Sequence, residues 1–133
     1  LEKIDYIHTR LSVPLSPDLS TSGFIANTLN KIRNNENYEP AENNQLYDVI
    51  SSNDVADAYH LIGLHGKNKA DYFIGSGTPT KLNDYFTNFR RANLGIPIVE
   101  KTYSPSDNLS FFSTKLLNAD TGFVAKTNKF NLT

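Results

Sequence analysis

Apolar residues along this chain fall into stretches of two kinds that alternate. Ile4-Asp5-Tyr6-Ile7-His8-Thr9-Arg10-Leu11 is rich in β-branched and aromatic residues and runs into Pro14 and Pro17, which predicts a strand and its stop. Phe24, Ile25, Thr28, Leu29 and Ile32 then recur at helical spacing behind Ser20-Thr21-Ser22, a cluster able to cap a helix start. Asn34-Asn35-Glu36-Asn37 ends that helix, and the polar run from Glu39 to Gln45 reads as a surface loop. Leu46 to Ile50 is the second predicted strand. Ser52 or Asn53 is expected to cap the next helix, with Asp54 in its first turn, Val55, Tyr59 and Ile62 as its buried stripe, and Gly66 as its stop. Ala70 to Ile74 is the third strand. Thr78 or Thr80 is expected to cap a third helix, whose Leu82, Tyr85, Phe86 and Phe89 follow the i, i+3, i+4, i+7 pattern, with Gly95 ending it. A short strand is expected over Ile96 to Glu100, a loop over Ser104 to Asn108, and a helical turn or two from Ser113 to Asn118. Strands alternating with amphipathic helices predict α/β layers, with three or four strands in a small sheet.

Composition narrows the function classes. The length of 133 residues suits one domain with a modest core. With 13 basic and 14 acidic side chains the net charge is −1, which offers no global field for nucleic acid or an anionic membrane. No apolar run approaches the roughly 20 residues that span a bilayer. Leu1-Glu2-Lys3-Ile4 lacks the basic start and apolar run of a signal peptide. A cytoplasmic protein is the default expectation. There is no Cys, so disulfide and thiolate chemistry are excluded. The chain starts with Leu and contains no Met and no Trp, from which a piece of a longer protein is expected.

Candidate motifs are few. Gly75-Ser76-Gly77 follows a strand and precedes a helix, but Thr80 stands where a dinucleotide-binding loop needs its third Gly. It reads as a tight turn. His8, His60 and His65 share no metal-binding spacing, and His8 reads as a hydrogen-bonded core residue of its strand. No nucleophile elbow of the Gly-x-Ser-x-Gly type is present. Asp54 and Asp57 read as a cap-region acid and an exposed acid rather than a catalytic pair.

Four segments in order resemble one family. They are Thr9-Arg10-Leu11-Ser12-Val13-Pro14-Leu15-Ser16-Pro17; Tyr47-Asp48-Val49-Ile50 followed by Asn53-Asp54-Val55-Ala56-Asp57-Ala58; Tyr72-Phe73-Ile74-Gly75-Ser76-Gly77; and Asp120-Thr121-Gly122-Phe123. Together they resemble the C-terminal part of the extended short-chain dehydrogenase/reductase family, the NAD-dependent epimerases and dehydratases of sugar nucleotides. The resemblance implies the C-terminal portion of a Rossmann-like fold, with residues 1–133 forming the substrate-binding portion of a longer NAD(P)-binding enzyme. Such enzymes keep a glycine-rich cofactor loop and a Tyr-x-x-x-Lys dyad upstream. Four residues beyond the seven tyrosines of this chain stand Arg10, Glu42, Ser51, Gly63, Ser76, Phe89 and Asp107, and none is Lys. No catalytic residue and no metal ligand is therefore assigned.

By resemblance, Leu11, Ser12 and Val13 lie against the nicotinamide of NAD or NADP. Ser16, Leu19 and Ser20 border the sugar of a nucleotide-sugar-like substrate. Tyr47 takes the place of an Arg that reaches the nucleotide diphosphate in some relatives; a phenol brings a hydrogen bond but no charge. Asp48 keeps the family's carboxylate and is expected to order the strand-to-helix turn. The parent activity implied is that of an isomerase or oxidoreductase, with dimerisation of the longer protein through upstream helices. Two rival readings stand beside it: a binding or regulatory protein that keeps the fold without turnover, and a free-standing small α/β domain.

Overall fold

The computed structural model describes residues 4–100 and 109–133. In it, the first strand-forming stretch changes partner halfway. β1 (His8–Leu11) lies parallel to β5 (Asp71–Ile74), and β2 (Val13–Leu15) lies parallel to β4 (Val49–Ser51). Ser12 is the break: its N–H donates to the Ile74 carbonyl at 3.0 Å, whereas the Val13 N–H donates to the Asp48 carbonyl at 3.1 Å. The stretch expected as one strand over Leu46 to Ile50 is also divided, at Asp48. β3 (Leu46–Tyr47) pairs antiparallel with β6 (Thr80–Lys81), while β4 turns to β2. Three two-stranded pairs thus replace the single small sheet expected from the pattern.

No strand forms over 96–100. The Asn88 side chain stands in as a strand partner there, accepting from the Val99 N–H at 3.0 Å and donating to its carbonyl at 2.9 Å. The loop expected over Ser104 to Asn108 lies outside the described residues.

Four helices pack around these pairs among the described residues: α1 (Phe24–Arg33), α2 (Ser52–His65), α3 (Leu82–Asn93) and α4 (Lys115–Thr121). Their caps differ from expectation. Gly23 precedes α1 at φ 129° with no side-chain cap, so none of Ser20, Thr21 and Ser22 holds the cap position. Ser51 caps α2, its Oγ accepting from the Asn53 N–H at 3.2 Å. Lys81 precedes α3, so neither Thr78 nor Thr80 caps it. On α2 the buried residues are Asp54, Ala58 and Ile62, so Ile62 is buried as expected and Val55 half-buried, while Asp54 and Ala58 take the rest of the face. Tyr59 is exposed, with its hydroxyl 3.1 Å from Thr9 Oγ1. The α3 pattern is realised as read: Leu82, Tyr85, Phe86 and Phe89 are all buried.

The core has two parts. The first gathers Leu15, Leu29, Ile32, Val49, Phe86 and Leu132 with the rest of the α3 aromatics. Phe86 is its centre, meeting the rings of Phe24 and Tyr38 edge-on at 6.0 and 5.8 Å. Burying such a ring contributes roughly 1.5–3 kcal/mol. The second packs Ile50, Ala58, Ile62, Tyr72, Ile74 and Leu117 between α2, β5 and α4. There the Tyr72 hydroxyl donates to Asp120 at 2.8 Å, and Lys67 pairs with the same carboxylate at 3.2 Å. Asp120 of the fourth matching segment is thus a tie between α4 and the turn before β5. The Tyr72 bond holds its carboxyl below the ordinary aspartate value.

Candidate functional site

In α/β folds, ligands gather at the carboxyl ends of parallel strands where the strand order changes. Ser12 lies at the carboxyl end of β1, where the chain passes to β2 and changes strand partner. Its Oγ is buried and has no hydrogen-bond partner among the described residues. A buried hydroxyl left unsatisfied costs about 1–3 kcal/mol, and an added ligand that bonds it removes that cost. The N–H groups of Ser12 and Val13 are already committed to Ile74 and Asp48. What this strand break can offer a nicotinamide carboxamide therefore includes the Ser12 hydroxyl. Leu11 is exposed and Val13 half-buried beside it.

The loop after β2 is rigidly built. Ser16 Oγ accepts from the Ser20 N–H at 3.0 Å and lies 3.2 Å from Ser20 Oγ. Asp18 Oδ1 also accepts from the Ser20 N–H at 3.1 Å. Hydrogen bonds from Ser16 and Ser20 hold the exposed Asp18 carboxyl below its ordinary value. Arg33 of α1 donates to the Pro17 carbonyl at 2.8 Å and pins the loop from beneath. Leu19, expected beside the sugar, departs from that reading: it adopts φ 55° and points its side chain into the first core, at 2 % exposure. Its carbonyl accepts from Asn30 at 3.0 Å. Ser16, Asp18 and Ser20 thus keep polar groups at the surface of this loop, whereas the Leu19 side chain is in the core.

Tyr47 and Asp48 diverge although adjacent. Tyr47 is half-buried against the first core. Asp48 is 2 % exposed, and its two oxygens accept from the N–H groups of Ser76 at 2.8 Å and Gly77 at 2.9 Å. The carboxylate orders a turn, but not the strand-to-helix turn next to it: it holds Gly75-Ser76-Gly77, after β5. This explains the glycines. A Cβ on Gly75 would stand 2.6 Å from the Phe73 ring and 3.0 Å from the Asp48 carboxyl. Gly77 has φ 77°, where a side chain is strained. The N–H pair that a phosphate would need is already filled by a carboxylate, so the turn is structural. Burial pushes the Asp48 carboxyl above its ordinary value, against the pull of the two N–H groups and of Lys129.

Lys129 is the residue that sequence reasoning missed. Its ammonium donates to the Thr78 carbonyl and, at 3.0 Å, to Thr78 Oγ1. It borders a cavity of about 230 Å³ with Thr80, Asn88, Glu100 and Phe130. Nothing around Asn128-Lys129-Phe130 marks it in the sequence, since it acts through a contact 51 residues away along the chain. A larger cavity of about 480 Å³ opens between α1 and residues 37–39, lined by Phe24, Asn27, Lys31, Tyr38 and Glu39. His8, expected in the core, is exposed, with Nδ1 3.3 Å from Asp71.

No family model and no curated protein matches this sequence. Solved structures do. The chain superimposes on UDP-glucose 4-epimerase from Thermotoga maritima, determined with UDP-glucose, at a TM-score of 0.69 and 18% identity, covering 97% of this chain and 43% of the epimerase. It matches the Bordetella bronchiseptica enzyme WbmF, in complex with NAD+ and UDP, at a TM-score of 0.69 and 18% identity, over 95% of this chain and 42% of that one. RMD from Pseudomonas aeruginosa, complexed with NADPH, follows at a TM-score of 0.67 and 17% identity, over 95% and 44%. The chain therefore has the α/β fold of the C-terminal part of extended short-chain dehydrogenases/reductases, and spans less than half of the structures it matches. Among the described residues, no helix is long and apolar enough to cross a membrane.

Proposed function

We propose that these residues form the substrate-side portion of an NAD(P)-dependent epimerase, dehydratase or reductase acting on a nucleotide sugar or a related small molecule. The observation that carries the reading is the unsatisfied Ser12 hydroxyl at the strand break, in a fold shared with the C-terminal parts of NAD(P)- and UDP-bound structures. Bound against Leu11, Ser12 and Val13, the nicotinamide supplies hydride transfer. This chain's own task is positional: Ser12 donates to or accepts from the carboxamide, and its burial keeps water from competing. Ser16 and Ser20 border the substrate, on a loop that Arg33 and Asn30 hold in one shape. The Tyr47 phenol is the hydrogen-bonding group toward the nucleotide end. The longer protein supplies the proton-transferring dyad and, through upstream helices, a homodimer interface.

The test is titration of NADH and UDP-glucose into a polypeptide that carries this segment together with its upstream half, comparing S12A and Y47F with the parent. One lost hydrogen bond corresponds to about 0.5–1.5 kcal/mol, so S12A should weaken NADH binding severalfold. NADH affinity indifferent to S12A, or no NADH binding at all, would overturn the reading and favour a binding protein without turnover.

A further inference from the structure

β1 is paired along one side only. In a parallel ladder the backbone groups of successive residues point to opposite edges of the strand. The His8 and Ser12 N–H groups donate to the Ala70 and Ile74 carbonyls at 2.9 and 3.0 Å, so Arg10 between them also faces β5, while Thr9 and Leu11 face away. Among the described residues no strand lies along that outer edge. The edge continues into an exposed stripe of α2. Tyr59 joins the two, its hydroxyl 3.1 Å from Thr9 Oγ1. Ala56, three residues before it, and Gly63, four after it, are exposed on the same helical face, and a Cβ on Gly63 would meet nothing within 4 Å. Leu11 and Tyr59 are large apolar side chains left in water. None of Thr9, Leu11, Ala56, Tyr59 and Gly63 is charged, which is the composition of an interface centre rather than of a solvated surface. An open parallel edge presents a row of N–H and C=O groups that folded proteins pair or cover.

We propose that the outer edge of β1 and the Ala56-Tyr59-Gly63 stripe of α2 form one docking face, and that its occupant is a strand-and-helix unit from the upstream half of the longer protein. The inference rests on the reading of these residues as the substrate-side portion of such a protein. The chain spans 42–44% of the structures whose C-terminal part it matches, so more than half of the shared length has to attach to this portion. The incoming strand pairs with the Thr9 and Leu11 backbone and makes β1 an interior strand. The helix beside it covers Tyr59 and comes closest to α2 at Gly63, where no side chain intervenes. Because β1 ends at Ser12, the same pairing holds the Ser12 hydroxyl and the upstream half in one sheet.

The test is amide hydrogen exchange, read residue by residue, in the polypeptide that carries this segment together with its upstream half. There the Thr9 and Leu11 amides should exchange as slowly as those of Arg10 and Ser12. G63R, whose side chain has open space within this segment, should quicken exchange at Thr9 and Leu11 about tenfold and leave Arg10 and Ser12 protected. T9P removes an outward N–H without touching the ladder to β5, and should quicken Leu11 by a similar factor. Thr9 and Leu11 amides that exchange freely in the longer polypeptide, or that G63R leaves unmoved, would overturn the docking face. So would a dimer of the 133-residue chain that protects both amides by itself, since the edge would then belong to a second copy. NADH titration of the same sample separates this inference from the reading beneath it. A protected edge without NADH binding upholds the docking face and overturns the enzyme reading; NADH binding with an open edge does the reverse.

Discussion

Ser12 and Asp48 occupy matching places, each at the break where one stretch of chain leaves one strand partner for another. Both present a buried side-chain oxygen at that break, yet they are opposites in satisfaction. The Ser12 hydroxyl has no partner among the described residues, while both Asp48 oxygens are filled by the Ser76 and Gly77 amides. The neutral group, whose isolation costs about 1–3 kcal/mol, can wait for a ligand. A carboxylate cannot, because an unpaired buried charge costs far more. Unfilled capacity in this fold is held by the cheap group and structural order by the expensive one. That is the physical reason for looking for the cofactor at Ser12 and for structural order at Asp48.

The sharpest way to break this contrast is D48A. It strands the two amides that the carboxylate holds, and should cost about 1–3 kcal/mol in a urea unfolding curve; a change near zero would mean the two amides find water instead. G75A comes next. Its Cβ would press on the Phe73 ring and the Asp48 carboxyl, for a loss of about 1–3 kcal/mol by the same measurement. Acidity offers a gentler probe. The raised Asp48 carboxyl binds its proton more tightly folded than unfolded, so its contribution to stability falls as pH rises from the ordinary aspartate value through the raised one. Asp120, held below that value by Tyr72, has the opposite sign: its contribution is present above the ordinary value and is lost as pH falls through its own. Carbon-detected carboxyl titration should show the two aspartates displaced in opposite directions, and a shared midpoint would contradict the geometry. S12A should have the smallest effect on the protein alone, leaving stability unchanged or raised by up to about 1 kcal/mol. A larger loss would show that the hydroxyl already has a partner.

The α3 helix was legible because its four aromatic and aliphatic positions repeat in strict helical register, a purely local signal. The strands were legible in place but not in continuity. Nothing in Leu11-Ser12-Val13 or Tyr47-Asp48-Val49 tells that the partner changes there, since pairing is decided by segments some 33 to 63 residues away. On α2, Ala58 wins the buried face over Tyr59 because the phenol reaches Thr9 at the surface. The caps of α1 and α3 differ from expectation because Gly23 and Lys81, not a serine or threonine, stand immediately before the two helices. Within the candidate site, the residue resemblance points to Ser12 and Asp48. The buried Leu19 and the role of Lys129 needed three dimensions, as both depend on contacts remote along the chain.

Leu19 carries a further consequence. Only Ser16, Pro17 and Asp18 separate it from Leu15, and both leucines are sunk in the same core. The span between these two anchors is fixed in length, like a short strap riveted at each end. Descendants of this sequence can therefore change what the strap presents by exchanging Ser16 or Asp18, but not by inserting residues between the anchors. Diversification of this surface runs through side-chain identity at constant loop length.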